Sequence, residues 1–224
     1  MNVELMLLTV LQGLRTQILD AGMLFFTQLG DAGFIWVVLT AVLLVFRRTR
    51  RVGCVLAAAL LVDAVLCNLI LKPLVARIRP CDILADVQLL ISRPDDFSFP
   101  SGHTAASFAS VTALWLAGKK QWALAALPLG VLIAFSRMYL FVHYPTDIIG
   151  GVLVGVGCGW MGAKLVETFW QKNFAKSDLL REALHREDAG PIVEEERQII
   201  SKESAISRSL ALLCQHVQNH QDRL

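Results

Sequence analysis

Two histidines, an aspartate and three cations stand at the ends of stretches in which nearly every other residue is apolar. His143 and Asp147 are four residues apart, and Pro145 between them disfavours helical geometry at Tyr144. The spacing therefore puts His143 at the end of one helix and Asp147 in the first turn of the next, where the two side chains can still meet. A carboxylate that accepts a hydrogen bond from one ring nitrogen fixes the tautomer and leaves the other nitrogen free to attack. Taken alone, the pair reads equally well as a structural cap on the second helix. In Pro100-Ser101-Gly102-His103-Thr104, Ser101 takes the N-cap position of a helix. The free amides behind it, with the helix dipole, make an anion site. Gly102 lets a ligand approach the backbone, and His103 in the first turn can give a proton to an oxygen leaving phosphorus. Lys72 and Arg79, seven residues apart, point the same way if their stretch is helical. Arg137 lies deep in an apolar helix, where a cation is costly unless it meets an anion.

Lys72, Arg79 and Arg137 as fixed cations, helix amides as donors and two histidines in different roles form a set suited to phosphoryl transfer. Its transition state spreads negative charge over the equatorial oxygens, which prealigned cations stabilise better than water does. This arrangement requires neither metal nor other cofactor, and Asp82, Asp86, Asp95 and Asp96 follow no metal-ligand pattern.

The elements that must hold these residues are membrane helices. Of the 224 residues, 55% are hydrophobic, and they fall into separate blocks near the ~20 residues that cross a bilayer. An all-α integral membrane protein follows, with about five spans: a first over the block Phe34–Phe46, which is short unless its helix begins nearer Ala21 and tolerates Asp31, then Val52–Leu71, His103–Ala117, Trp122–Leu140 and Pro145–Trp170. Before them, residues 1–29 are expected to form an N-terminal segment that carries an amphipathic helix in the interface, with Leu7, Leu8, Leu11, Leu14 and Ile18 at helical spacing. Arg47, Arg48, Arg50 and Arg51, and then Lys119 and Lys120, mark the cytoplasmic side. The chemistry-bearing segments then share the exterior face. Gly151, Gly155 and Gly159 permit a close helix approach within the chain. A net charge of +2 gives no sign of nucleic-acid binding, and the five cysteines are scattered. Residues 171–224 turn polar, with a break at Gly190-Pro191, an acidic run Glu194-Glu195-Glu196 and a weakly amphipathic stretch to Leu213. They read as a cytoplasmic tail, solvated or able to bind a partner.

The ordered set resembles the type 2 phosphatidic acid phosphatase superfamily. That family's pattern runs Lys, six residues, Arg-Pro; then Pro-Ser-Gly-His; then Ser-Arg, five residues, His, three residues, Asp. Here it is filled by Lys72 with Arg79-Pro80, by Pro100 to His103, and by Ser136-Arg137 with His143 and Asp147. The resemblance covers residues 30–169 and implies a helical bundle in which His143 attacks phosphorus to give a phosphohistidine. Asp147 would orient His143, and His103 would protonate the departing alcohol or phosphate. Lys72, Arg79, Arg137, Ser101 and the Gly102 amide would bind phosphoryl oxygens. The expected substrate is a lipid phosphate or diphosphate in the exterior leaflet. An undecaprenyl-type diphosphate is preferred, with phosphatidic acid and phosphatidylglycerol phosphate as alternatives. A lipid-phosphate transporter or scaffold without catalysis is the competing class, but it has no need of a His-Asp pair beside an acid histidine. Multiple spans argue against the related vanadate-dependent haloperoxidases.

Overall fold

A computed structural model describes residues 3–84 and 86–185. Every regular element among them is helical. In chain order these are α1 (Val3–Gly13), α2 (Gln17–Gly30), α3 (Phe34–Val45) and α4 (Arg50–Asp63), which runs through a π-helical stretch, Ala64–Leu71, into α5 (Lys72–Val75). They continue with α6 (Pro80–Ile83), α7 (Gly102–Leu116), α8 (Lys120–Tyr139) and α9 (Pro145–His185). The chain divides into two units, Met1–Thr168 and Phe169–Leu224, and the described part of the second is the last stretch of α9. The break, acidic run and amphipathic stretch expected beyond residue 189 lie outside the described residues.

Among the described residues, four segments are long and apolar enough to cross a bilayer: Gln17–Val45, Arg50–Ile83, Lys120–Tyr139 and Pro145–Gln171. Leu61, Leu69, Leu153 and Leu165 on these segments are exposed, as hydrocarbon rather than water would reward. The third expected span, His103–Ala117, is α7, whose 15 residues rise about 22 Å, short of the ~30 Å of hydrocarbon. It packs against α4 and α8 and buries Ala105, Ala109, Ser110 and Ala113, small side chains that let neighbours close in.

The first span also differs from the sequence reading. The amphipathic helix ends at Gly13, and residues 17–29 belong to the first crossing segment instead. Thr16 starts that segment by accepting a hydrogen bond from the Leu19 N–H at 3.3 Å. The break at Asp31 interrupts the span without ending it. Ala32 (φ 51°) and Gly33 (φ 69°) both take left-handed backbone there, and the helix resumes at Phe34. α1 buries Leu5 and Leu8 in a cluster with Met23, Cys81, Tyr139, Phe141 and Val142, so it braces the turn that carries His143.

The glycine stripe of α9 packs on α7 within the chain. A Cβ on Gly155 would lie 2.4 Å from the Ala105 carbonyl oxygen, and one on Gly159 would lie 2.6 Å from Thr112 Cβ. α3 and α4 are joined by the turn bearing Arg47 and Arg48, and α7 and α8 by the turn bearing Lys119. Arg51 and Gly118 line one crevice, so the two basic turns share an end, opposite the one reached by His103 and Arg137.

Candidate active site

The cations converge because a helix breaks. Ala76 takes left-handed backbone (φ 49°) and ends α5, so Lys72 and Arg79 are brought together by a turn rather than by two helical turns. Both are buried, and both grip the Asp96 carboxylate: Lys72 Nζ meets Oδ2, and Arg79 Nη2 donates to Oδ1 at 2.5 Å. Burial alone would raise the Asp96 carboxyl, but the hydrogen bonds and charges of Lys72 and Arg79 outweigh it and hold the group down at about 2. Arg79 Nη1 also donates to the Val142 carbonyl at 2.7 Å and lies 3.2 Å from His143 Nε2. Arg137 donates from Nη1 to Thr27 Oγ1 at 2.5 Å, while its buried Nε has no hydrogen-bond partner among the described residues.

His143 lies in the turn between α8 and α9, four residues past the end of α8 instead of at the helix end that Pro145 suggests. Phe141 (φ 62°) tightens this turn. Asp147, in the first turn of α9, has Oδ2 3.4 Å from His143 Nδ1. Its carboxylate also accepts from Ser98 Oγ at 2.5 Å, the Tyr144 N–H at 2.9 Å and Arg77 Nη1 at 2.5 Å. Nδ1 is thus the protonated ring nitrogen, and Nε2 presents its lone pair toward Arg79. Burial, aided by the charges of Arg79 and Arg137 and opposed by Asp147, pushes the imidazole down to about 3. The ring is therefore neutral at any physiological pH, as a nitrogen nucleophile must be.

Ser101 precedes α7 in extended backbone, as an N-cap residue does, but its hydroxyl caps no amide. It accepts from Thr104 Oγ1 at 3.0 Å, and its own N–H donates to the Asp147 carbonyl at 3.1 Å. Ser101 therefore ties α7 to α9, and the first-turn amides stay free. His103 Nε2 lies 2.8 Å from Asp31 Oδ1, across the break between α2 and α3.

A cavity of about 1130 Å³ joins these pieces. Lys72, Arg79, Gly102, His103, Arg137 and His143 line it together, while Ser101 and Asp147 stand behind its wall. From this polar end the cavity runs along Val37, Ala57, Leu60, Leu61 and Ala64 of α3, α4 and the π-helical stretch, a mainly apolar wall, interrupted by Thr40 and Asp63, that suits a lipid chain. Sequence reasoning missed three contributors. Arg77, between the two motif cations, bridges Asp147 to Glu4 Oε2 at 2.6 Å. Nothing in the spacing of Asp96 marks its role, and in the sequence Asp31 has the look of a helix break alone.

The family model described as the PAP2 superfamily matches residues 51–171, more than half of the chain. The chain belongs to that superfamily. It is 34% identical over 168 residues, 75% of this chain and 79% of the relative, to an undecaprenyl-diphosphatase of Sulfolobus acidocaldarius. Among solved structures it resembles LpxE of Aquifex aeolicus, with a TM-score of 0.63 and 32% identity over 73% of this chain and 96% of that one. It also resembles the transmembrane PAP2-type phosphatidylglycerolphosphate phosphatase of Bacillus subtilis, with a TM-score of 0.60 and 27% identity over 75% and 85%. The protein is accordingly a multi-pass membrane phosphatase that hydrolyses phosphate esters. In this superfamily member the helical bundle brings three distant sequence segments to one cavity.

Proposed function

We propose that the protein removes the terminal phosphate of a polyprenyl diphosphate presented from the outer leaflet. His143 Nε2 attacks phosphorus while Asp147 holds Nδ1–H and stabilises the cation that forms. Lys72, Arg79, Arg137 and the Gly102 amide bind the phosphoryl oxygens, and Ser101 fixes the helix that carries that amide. Asp96 must yield Lys72 and Arg79 to the incoming phosphate. His103 protonates the departing oxygen and then takes a proton from the water that cleaves the N–P bond.

The observation that carries this reading is a neutral, carboxylate-oriented imidazole facing cations at the polar end of a cavity whose other wall is mainly apolar. The undecaprenyl-diphosphatase relative supports the choice of substrate. Likeness to the phosphatidylglycerolphosphate phosphatase favours that monoester as the second reading. The basic turns at the far end support a cytoplasmic location for that end and for the tail, with the site outside. The test is phosphate release by purified protein from polyprenyl diphosphate, phosphatidylglycerol phosphate and phosphatidic acid, with chelator present. The diphosphate should be turned over with the highest kcat/KM, and His143→Ala and His103→Ala should be impaired. A preference for either monoester overturns the substrate assignment, and undiminished activity in His143→Ala overturns the nucleophile.

A further inference from the structure

Asp31 belongs to none of the three motif segments, yet the fold is shaped around its meeting with His103. The left-handed pair Ala32 and Gly33 turns the chain sharply just after it, and its Oδ1 comes to 2.8 Å from His103 Nε2. The residue before it, Gly30, supplies the seat for the same ring: a Cβ there would lie 2.7 Å from His103 Cδ2 and 2.7 Å from Ile133 Cγ2. One helix break therefore provides both a bare surface for the imidazole and a carboxylate for its outer nitrogen. Burial, and after it the charges of Arg137 and Lys72 in the same cavity, disfavours a proton on the His103 ring; the Asp31 carboxylate opposes them without reversing the shift.

We propose that Asp31 is the positioning residue of the acid–base histidine, a role that rests on the reading of His103 as the proton donor. Asp31 holds the Nε2–H until the leaving oxygen replaces it as acceptor. When the His143 Nε2–P bond forms and the P–O bond breaks, that proton passes from Nε2 of the His103 imidazolium to the departing oxygen, leaving a neutral ring protonated at Nδ1. When water attacks phosphorus, Nε2 recovers one proton from it, the N–P bond breaks with its electron pair returning to His143, and Asp31 takes up the hydrogen bond again. The Asp31 carboxylate stays ionised throughout, so protons balance over the cycle. Its side chain is 60% exposed, so the pair adds little to folding stability and its value lies in orientation.

The experiment compares two lipid phosphates with the same chain, one with an alkyl leaving group and one with an activated aryl leaving group that departs without a proton. Read as the rate of leaving-group release in the first turnover, before the shared intermediate breaks down, Asp31→Asn should be about 30-fold slower on the alkyl ester, part of the ~10²–10⁴ that general acid catalysis supplies, and less than about 3-fold slower on the aryl ester. The lipid concentration that gives half the maximal rate should not rise. His103→Ala should show the same discrimination, only larger. If His103→Ala discriminates and Asp31→Asn slows both esters equally or neither, the role of Asp31 is overturned while the acid reading of His103 stands. If His103→Ala slows both esters equally, both assignments fail.

Discussion

The buried imidazole of His143 makes a quantitative claim on stability. Its proton affinity is held down to about 3, against an ordinary 6.5, so the unfolded chain binds a proton between those values and the folded chain does not. Stability is therefore complete above pH 6.5 and falls as the pH drops toward 3. Each unit inside that window is worth about 1.4 kcal/mol, and integration from pH 7 to pH 5 gives a loss of about 2 kcal/mol. Asp96 does not disturb this window. Its lowered value of about 2 gives stability that is present above the ordinary 3.8 and is lost only below that. The assay is thermal unfolding in detergent at pH 7 and pH 5 for the wild type and for His143→Gln, which has no proton to take. The wild type should lose about 4–8 °C more than the variant over that interval, with the variant cancelling every other titrating group. Equal losses in the two proteins would refute the idea that His143 is held neutral by burial.

Other perturbations follow from the same geometry. Gly30→Ala should leave the fold intact but push the His103 ring aside by about 1 Å, costing on the order of 10²-fold in kcat on an alkyl ester, as steady-state kinetics would register. Gly155→Ala meets backbone at 2.4 Å and should destabilise the bundle by about 2 kcal/mol or more, read as a lower melting temperature. Asp96→Asn removes the carboxylate that competes for Lys72 and Arg79, so inorganic phosphate should inhibit the variant about 3–10-fold more tightly, at a kcal-scale loss of stability. A weaker phosphate inhibition in that variant would mean that the carboxylate organises the cations instead of blocking them.

Most of the bundle was legible in the sequence because hydrocarbon imposes a simple rule on helix length and composition. The Gly151, Gly155 and Gly159 stripe was legible for a similar reason, since a four-residue repeat of the smallest side chain has one geometric use. Boundaries were not. α7 escapes the length rule because its small, partly polar face is buried by neighbouring helices, and Gln17–Val45 spans two helices because left-handed backbone at Ala32 and Gly33 absorbs a break that looks like an end. The motif cations illustrate how a right juxtaposition can follow from the wrong local geometry. Lys72 and Arg79 meet through a turn at Ala76, whose left-handed conformation no residue preference announces in an alanine. Asp31 and Arg77 act on His103 and Asp147 from 72 and 70 residues away, a distance that spacing rules cannot cross.

The central claim is a covalent bond between phosphorus and His143, and it can be trapped. His103→Ala incubated with a lipid phosphate carrying a labelled phosphoryl group and an activated aryl leaving group should still form the intermediate, since that departure needs no acid. Breakdown should stall, since the attacking water has lost its base. Rapid quenching in alkali, digestion and mass spectrometry should then place the label on the peptide containing His143, with the alkali-stable, acid-labile behaviour of a phosphoramidate. Label on any other residue, or the same yield when His143 is also replaced by alanine, would contradict the account.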